Sequence, residues 1–562
     1  MTIDPKDLRT LLVRVTAVTL AVRLVPMIGQ DLGVHEAALA LGVGDVAHEA
    51  WPRLLRGLYR AGGGFGAFLR LLPLLCEVAA PALAVAFARA AGWGAIPGLL
   101  AGLILAMAPL GLDAGVRGDG VALVTSAALL ALALLRAGLR AGDTRRVVLS
   151  ALPLLVGAVL EPPLLLIVPG GLLLAARAVA ATAVRRAGVV AWLGASALAL
   201  LLRHTPIGLG IAGDGLPAGW LAALPTTASW WLAGPSMDLS GWGQTPPYLA
   251  ALQAFAAVLP SGTAGALARQ LELQPAAMPA IVVGGLLALA AGVGLWRGRV
   301  WPDPVAVTPT AEAGWQTLGV QVSVPRTLGD RDVLPLLLPL LLALAFVAWG
   351  AATAQPAGLM GALAVARACA LLLLGVGLTA LTLPQRRSEP PAVGSRAAWR
   401  LAAIALAVFG LGAHHLLVQT QAADRQSARK VARYARESLG HRGALLAIGG
   451  RGVPILALLD PYRRAAGFQL TAADPAEALS ALTAVLAQKP DALVLVGDRD
   501  ALGPTGAVAA PDADLTLTWQ MLAPTLAASG WQAVEDSHRF LGHTAVVAFV
   551  PVAPPPTSGH AP

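Results

Sequence analysis

The chain has 562 residues, 57% of them hydrophobic and only 13% charged, with a mean hydropathy of +0.70. Soluble domains carry about 25% charged residues, which excludes an ordinary soluble enzyme, and a disordered chain would need low hydrophobicity. The net charge of +9 would point to nucleic acid in a soluble protein. In so apolar a chain it points to loop arginines that set membrane topology, and no nucleic-acid partner is expected.

The N-terminal apolar stretch is interrupted by Arg14 and Arg23, and no small-residue cleavage site follows Val25-Pro26-Met27. A retained first span is expected rather than a cleaved signal. Crossing the hydrocarbon core takes about 20 apolar residues per helix. On that basis the chain reads as an α-helical polytopic membrane protein with about eleven spans. They lie near 10–28, 67–88, 94–112, 119–136, 147–160, 162–179, 187–203, 278–296, 333–354, 357–383 and 398–418. The short run 147–160 is separated from the next by Glu161-Pro162-Pro163, read as a tight hairpin. Glu77 and Arg367 are rare charges within span interiors.

With the N-terminus inside, the inner segments collect Arg140, Arg145, Arg146, Arg177, Arg185, Arg186, Arg386 and Arg387, while the longer outer segments hold few arginines. This is the positive-inside bias. It predicts a bacterial-type cytoplasmic (inner) membrane protein with a cytoplasmic N-terminus. Residues 247–260 are apolar but short, and are read as an interfacial or re-entrant helix. The transmembrane domain is therefore 1–418, with outer loops 29–66, 113–118 and 204–277.

Charges near the bilayer are where chemistry is sought. In the first outer loop, Asp31, His35 and Glu36 lie within six residues. A carboxylate there can serve as a general base, and His35 with Glu36 can hold a divalent metal. The plainer reading of Glu36 is an early-turn helix charge. Arg23, near the outer end of the first span, either snorkels to the interface or turns inward to a phosphate. The short outer turn carries Asp113, Arg117 and Asp119, and Glu161 sits in the next outer hairpin. The loop 204–277 carries Trp230 and Trp231, which are belt anchors or sugar-stacking faces. The pair His414-His415 ends the last span and reads as interfacial.

Beyond residue 418 the composition changes. Segment 419–562 holds 12 basic and 12 acidic residues, so the whole net charge lies in 1–418, as 28 basic against 19 acidic. Strands at 444–448, 492–496, 531–535 and 545–550 alternate with helices at 421–439, 475–488 and 518–529. This predicts a C-terminal soluble α/β domain, 419–550, outside the membrane, followed by a Pro-rich disordered tail, 551–562. The run Gly449-Gly450-Arg451-Gly452 lacks the third glycine of a dinucleotide loop and reads as a strand-to-helix turn. No Walker A, H-E-x-x-H or C-x-x-C pattern occurs.

The order of features resembles a known family. A first span with an outer arginine precedes an acidic loop with two surface helices (35–47 and 51–60). Arg70-Leu71-Leu72-Pro73 opens the second span, Ala108-Pro109 ends the third, and the turn 113–119 follows. Thr245-Pro246-Pro247-Tyr248-Leu249 comes later, and a soluble domain closes the chain. This layout resembles the GT-C polytopic glycosyltransferases, in particular the protein O-mannosyltransferases and lipid A aminoarabinose transferases. The resemblance implies transfer of a sugar from a polyprenyl-phosphate carrier to a glycan, lipid or protein acceptor at the outer face. It also implies an Asp-Glu pair in the first outer loop, where this chain has His35-Glu36. Either His35 or Glu36 takes the base role, Asp31 takes it from a shifted position, or the chain is no longer a transferase. The family's acidic residue in the second outer turn is matched by Asp113 or Asp119, and its phosphate-binding arginine by Arg117. The alternative is a non-catalytic GT-C-like subunit that binds a glycan, lipid or protein partner. A transporter ranks last, because no internal repeat is detectable.

Overall fold

A computed structural model of the chain describes residues 5–29, 36, 40, 50–63, 66–108, 110–112, 120–203, 246–259, 274–297, 299–300, 326–327, 330–352, 359–382, 395–421, 443–448, 466–470, 479, 482–483, 485–487, 490–498, 522–534, 539–541 and 544–552. It divides into two compact units. One comprises Met1–Ile28, Arg70–Gly210 and Pro235–Gln419; the other comprises Gly29–Leu69, Ile211–Gly234 and Thr420–Pro562.

The first unit is helical. Its helices are α1 (Pro5–Gly29), then α3 (Gly66–Ala91) after the separate α2 (Ala50–Ala61), α4 (Ala95–Met107) and α5 (Val121–Ala141). They continue with α6 (Thr144–Leu149), α7 (Ala151–Leu160), α8 (Val168–Arg177), α9 (Thr182–Arg203), α10 (Pro247–Val258) and α11 (Gln274–Arg297). The last are α12 (Asp330–Ala352), α13 (Leu359–Thr382) and α14 (Ser395–Gln421). Between α11 and α12, β1 (Arg299–Val300) pairs antiparallel with β2 (Arg326–Thr327). Among the described residues, six helices are long and apolar enough to cross a membrane: those at Gly66–Ala91, Val121–Ala141, Thr182–Leu202, Val333–Gly350, Leu359–Thr382 and Trp399–Leu416.

Helix α13 is the core. All but two of its residues are buried, and it packs against α4, α5, α11 and α12. A helix that is apolar all round has no solvent face and belongs inside. The outer helices show the opposite pattern. Val190 and Leu201 on α9, Leu286 and Leu289 on α11, and Leu406 on α14 are exposed apolar groups, as a lipid-facing surface requires. Trp296 and Trp399, at helix ends, are exposed to 89% and 75%, where indole rings favour the membrane interface. Helix α10 packs on α12 and α13 through buried Ala250 and Ala254. Its 12 residues reach only about 18 Å, too short for the hydrocarbon core.

Residues 147–160 are not one uninterrupted helix. Asp143 caps α6 by accepting from the Arg145 and Arg146 amides, and the chain turns at Ser150 before α7. The Ser150 hydroxyl donates to the Val147 carbonyl at 2.5 Å and accepts from Trp192 Nε1 at 2.8 Å. After Glu161 the backbone tightens into a 3-10 segment, Pro162–Ile167. The two leading prolines have no N–H to give, which costs nothing in a first turn.

The second unit holds α2 and a six-stranded sheet. The strands are β3 (Gly443–Ile448), β4 (Ala466–Leu470), β5 (Ala492–Asp498), β6 (Trp531–Ala533), β7 (Arg539–Leu541) and β8 (Thr544–Pro551). The order is β4-β3-β5-β8-β6, with β7 also on β8. β3 is parallel to β4 and β5, whereas β8 is antiparallel to β5 and β6. No apolar run predicts β4: Ala466-Gly467-Phe468-Gln469-Leu470 includes a glycine and a glutamine, and only its place beside β3 makes it a strand. The sequence predicts a Pro-rich tail from Pro551. That residue instead ends β8, in register with Trp531, and Val552 N donates to Gly530 O. Proline is tolerated there because the strand is ending. Residues 421–439 (beyond Gln421), 449–452 and 553–562 lie outside the described residues.

Candidate functional site

Helix α4 ends at Met107, and Pro109 follows it. A proline has no N–H, so the Leu105 carbonyl, four residues earlier, loses its helical donor. Two arginines from distant helices supply the missing hydrogen bonds. Arg23 of α1 donates from Nη2 to Leu105 O (3.3 Å) and Ala106 O (3.2 Å), and from Nη1 to Gly111 O. Arg367 of α13 donates from Nη2 to Leu105 O at 3.1 Å. Glu77 of α3 lies between them. Its Oε2 is 3.1 Å from Arg23 Nη2, and its two oxygens take a bidentate pair from Arg367 at 2.5 and 2.9 Å. Thr125 Oγ1 accepts from Arg367 Nη1 at 3.5 Å. Arg23 is 1% exposed, and Glu77 and Arg367 are fully buried.

The geometry accounts for several residues at once. Gly111 must lack a side chain, because a Cβ there would overlap the Arg367 guanidinium and approach Glu77 Oε2 to 3.0 Å. Two guanidiniums and one carboxylate leave one net positive charge. The negative end of the α4 dipole, worth about half a charge, lies against it. Buried ion groups persist only when paired and hydrogen-bonded in this way. Arg23 therefore does not snorkel: it turns inward, onto protein groups.

Glu161, at the end of α7, is also buried. A Cβ on Gly120 would lie 2.8 Å from Glu161 Cγ and closer still to its carboxylate. Gly120 immediately precedes α5. Gly111 and Gly120, on either side of residues 113–119, thus lie against Arg23 and Glu161 respectively. Glu36 is helical, 4% exposed, and belongs to the other compact unit. Asp31, His35, Asp113, Arg117, Asp119, Trp230 and Trp231 lie outside the described residues. His415 is fully buried and His414 half-buried.

Among the described residues no group of three or more His, Cys, Asp or Glu side chains gathers as a metal site would need. Glu77 and Arg367 stand out in the sequence as charges inside spans, but nothing in it pairs them. They are 290 residues apart, and no local spacing links them.

No sequence-family profile matches the chain, and no curated protein matches it by sequence. Solved structures do match by shape. The arabinofuranosyltransferase AftD from mycobacteria matches over 97% of this chain at 15% identity and a TM-score of 0.50; this chain spans 40% of that one. ArnT from Cupriavidus metallidurans, solved with undecaprenyl phosphate, matches over 95% of this chain and 97% of its own, at 14% identity and a TM-score of 0.44. The archaeal oligosaccharyltransferase AglB from Archaeoglobus fulgidus, solved with an inhibitory peptide and a dolichol-phosphate, matches over 87% of this chain and 69% of its own, at 12% identity and a TM-score of 0.40. At 15% identity and a TM-score of 0.50 the likeness to AftD shows the fold alone, a multi-pass membrane fold like that of the GT-C glycosyltransferases.

Proposed function

We propose that the chain is an integral membrane glycosyltransferase that moves a sugar from a polyprenyl-phosphate carrier to an acceptor at the outer membrane face. The observation that carries this reading is the GT-C-like fold, shared with an arabinofuranosyltransferase across 97% of the chain. Fold alone does not determine chemistry, so the roles rest on residue types. Asp31 or Glu36, with His35 assisting, takes the proton of the acceptor hydroxyl or amine as it attacks the anomeric carbon. The bond from that carbon to the carrier's phosphate oxygen breaks, and the carrier phosphate leaves with the electron pair. Arg117 neutralises the departing phosphate. Asp113 and Asp119 orient the sugar, and Trp230 and Trp231 offer it a stacking face. Arg23 and Glu161 hold the two roots of the segment carrying Arg117, a positioning role that suits their burial. The polyprenyl tail lies among the apolar helices.

In this reading the chain crosses the bilayer an odd number of times, with the N-terminus in the cytoplasm and 419–550 forming an extracytoplasmic α/β domain. Reporter fusions at 143, 330 and 560 test that orientation, and an exposed fusion at 143 overturns it.

The direct test is transfer from a labelled polyprenyl-phosphate sugar by purified, folded protein in membranes. Replacing the true base by its amide should slow transfer by about 10²–10⁴-fold. Folded protein that transfers from no donor of this class would make it the non-catalytic binding subunit, to which the His35 departure points.

A further inference from the structure

Helix α9 is long and apolar enough to cross the bilayer. Its 22 residues extend about 33 Å, so its N-terminal end, with Arg185 and Arg186, reaches the headgroup level. Helix α6 starts at the same end. A Cβ on Gly188 of α9 would lie 3.0 Å from Val147 Cγ1 of α6. One turn further on, Trp192 Nε1 donates to Ser150 Oγ at 2.8 Å. The two contacts advance together along both segments, so α6 and α9 run parallel and begin near one membrane surface. Both belong to the same compact unit.

Four arginines lie at that end: Arg145 and Arg146 on α6, Arg185 and Arg186 on α9. Neither helix contains an acidic residue. Asp143, just before α6, is already engaged, since it caps that helix and pairs with Arg146 Nε at 3.2 Å. Arg185 donates to the Ala176 carbonyl and the Thr182 hydroxyl, each at 3.4 Å. Arg145 and Arg186 are exposed, and among the described residues no hydrogen bond or ion pair engages either guanidinium. Arg185 and Arg186 also stand at the positive end of the α9 dipole, which disfavours cations. The described residues leave this charge uncompensated.

Each open arginine heads a stripe of exposed apolar side chains. Arg145 is followed by Val148, Leu152 and Val156, all within about 80° at 100° per residue. Ser150, between α6 and α7, keeps right-handed helical backbone angles and so preserves that face across the junction. Arg186 is followed by Val190, Leu193 and Leu201, again within about 80°. The stripes run about 16 and 22 Å from their arginines. That is the depth of one leaflet or more, since the whole hydrocarbon core is about 30 Å thick. In a multi-pass membrane fold such faces meet acyl chains. A cation at headgroup level above an apolar stripe matches a lipid with an anionic head, and planar guanidiniums take phosphate oxygens by pairs of hydrogen bonds.

We propose that Arg145 and Arg186 bind the headgroup phosphates of anionic phospholipids whose acyl chains lie along these two stripes. The proposal depends neither on the transferase reading nor on which membrane face is cytoplasmic.

The test is native mass spectrometry of the full-length protein in detergent, titrated with dioleoylphosphatidylglycerol. Dioleoylphosphatidylcholine is the zwitterionic control, and the deacylated headgroup glycerophosphoglycerol, at constant ionic strength, is the competitor. A basic side chain near an anionic surface contributes about fivefold in binding. R145Q and R186Q should each weaken phosphatidylglycerol binding about fivefold, and R145Q/R186Q about 25-fold, at an unchanged melting temperature. R14Q, which removes an exposed arginine of α1, should leave binding as in the wild type. Should the double variant fail to fold, the two single variants carry the test. Wild-type binding of phosphatidylglycerol by folded R145Q/R186Q, or by both folded single variants, overturns the proposal. So does an equal loss in R14Q, which would show an effect of total charge without a site, and so does equal binding of phosphatidylcholine. Displacement by the deacylated headgroup would show a free-anion site, and a dimer that excludes lipid would show a second copy covering the stripes. Either result overturns it as well.

Discussion

Two groups of arginines in this chain meet opposite environments. Arg23 and Arg367 are enclosed, each paired with Glu77 and bonded to carbonyls that α4 cannot satisfy itself. Arg53, Arg56 and Arg60 lie half-buried along one face of a helix without an acid. The same side chain is an enclosed cross-link in the first setting and lies on a partly exposed helix face in the second. What differs is the depth of burial. A buried guanidinium without a carboxylate is strongly disfavoured, whereas a surface one is readily hydrated.

The comparison is broken most directly at Glu77. Glu77→Ala should leave two enclosed guanidiniums without their carboxylate and destabilise the fold by about 3–5 kcal/mol, read by thermal unfolding in detergent. A loss below about 1 kcal/mol would mean that water reaches the cluster. Gly111→Ala tests the same cluster without altering charge. Crowding the Arg367 guanidinium should cost about 1–3 kcal/mol in the same assay, and an unchanged midpoint would show that Arg367 can withdraw. Away from both arginine groups, Ser150→Ala strands the buried indole N–H of Trp192, with an expected loss of about 1–3 kcal/mol. If Trp192 fluorescence and stability stay as in the wild type, that hydrogen bond is dispensable. The smallest effect is expected at the exposed cap: Asp143→Ala should cost about 1 kcal/mol, and Asp143→Asn much less. Equal losses for the two would point to the Arg146 ion pair (3.2 Å) rather than the cap.

Much of the helical framework is legible along the chain. Most apolar runs read from composition coincide with helices, although 147–160 breaks at Ser150 and 94–112 at Met107, because burying some twenty apolar residues needs no partner beyond lipid and neighbouring helices. The three main strands of the C-terminal sheet are legible for a similar reason, as short apolar runs of β-branched and aliphatic residues. Strand β4 is not, since its pairing with β3 is what makes it a strand. The candidate site is legible only in its members. Arg23, Glu161 and the two intramembrane charges stand out as polar groups in apolar surroundings. That Arg23 turns inward, and that Glu161 lies against Gly120, cannot be read from spacing.

The sequence by itself determined that this is a multi-helix membrane protein whose positive charge excess lies wholly in its first 418 residues. Hydrophobicity and charge act residue by residue, and so survive being read in one dimension. Only the tertiary structure decided that Arg23, Glu77 and Arg367 meet at the broken end of α4. Hydrogen bonds and ion pairs depend on separations of a few ångströms between helices far apart in sequence, and those distances exist only once the helices have packed.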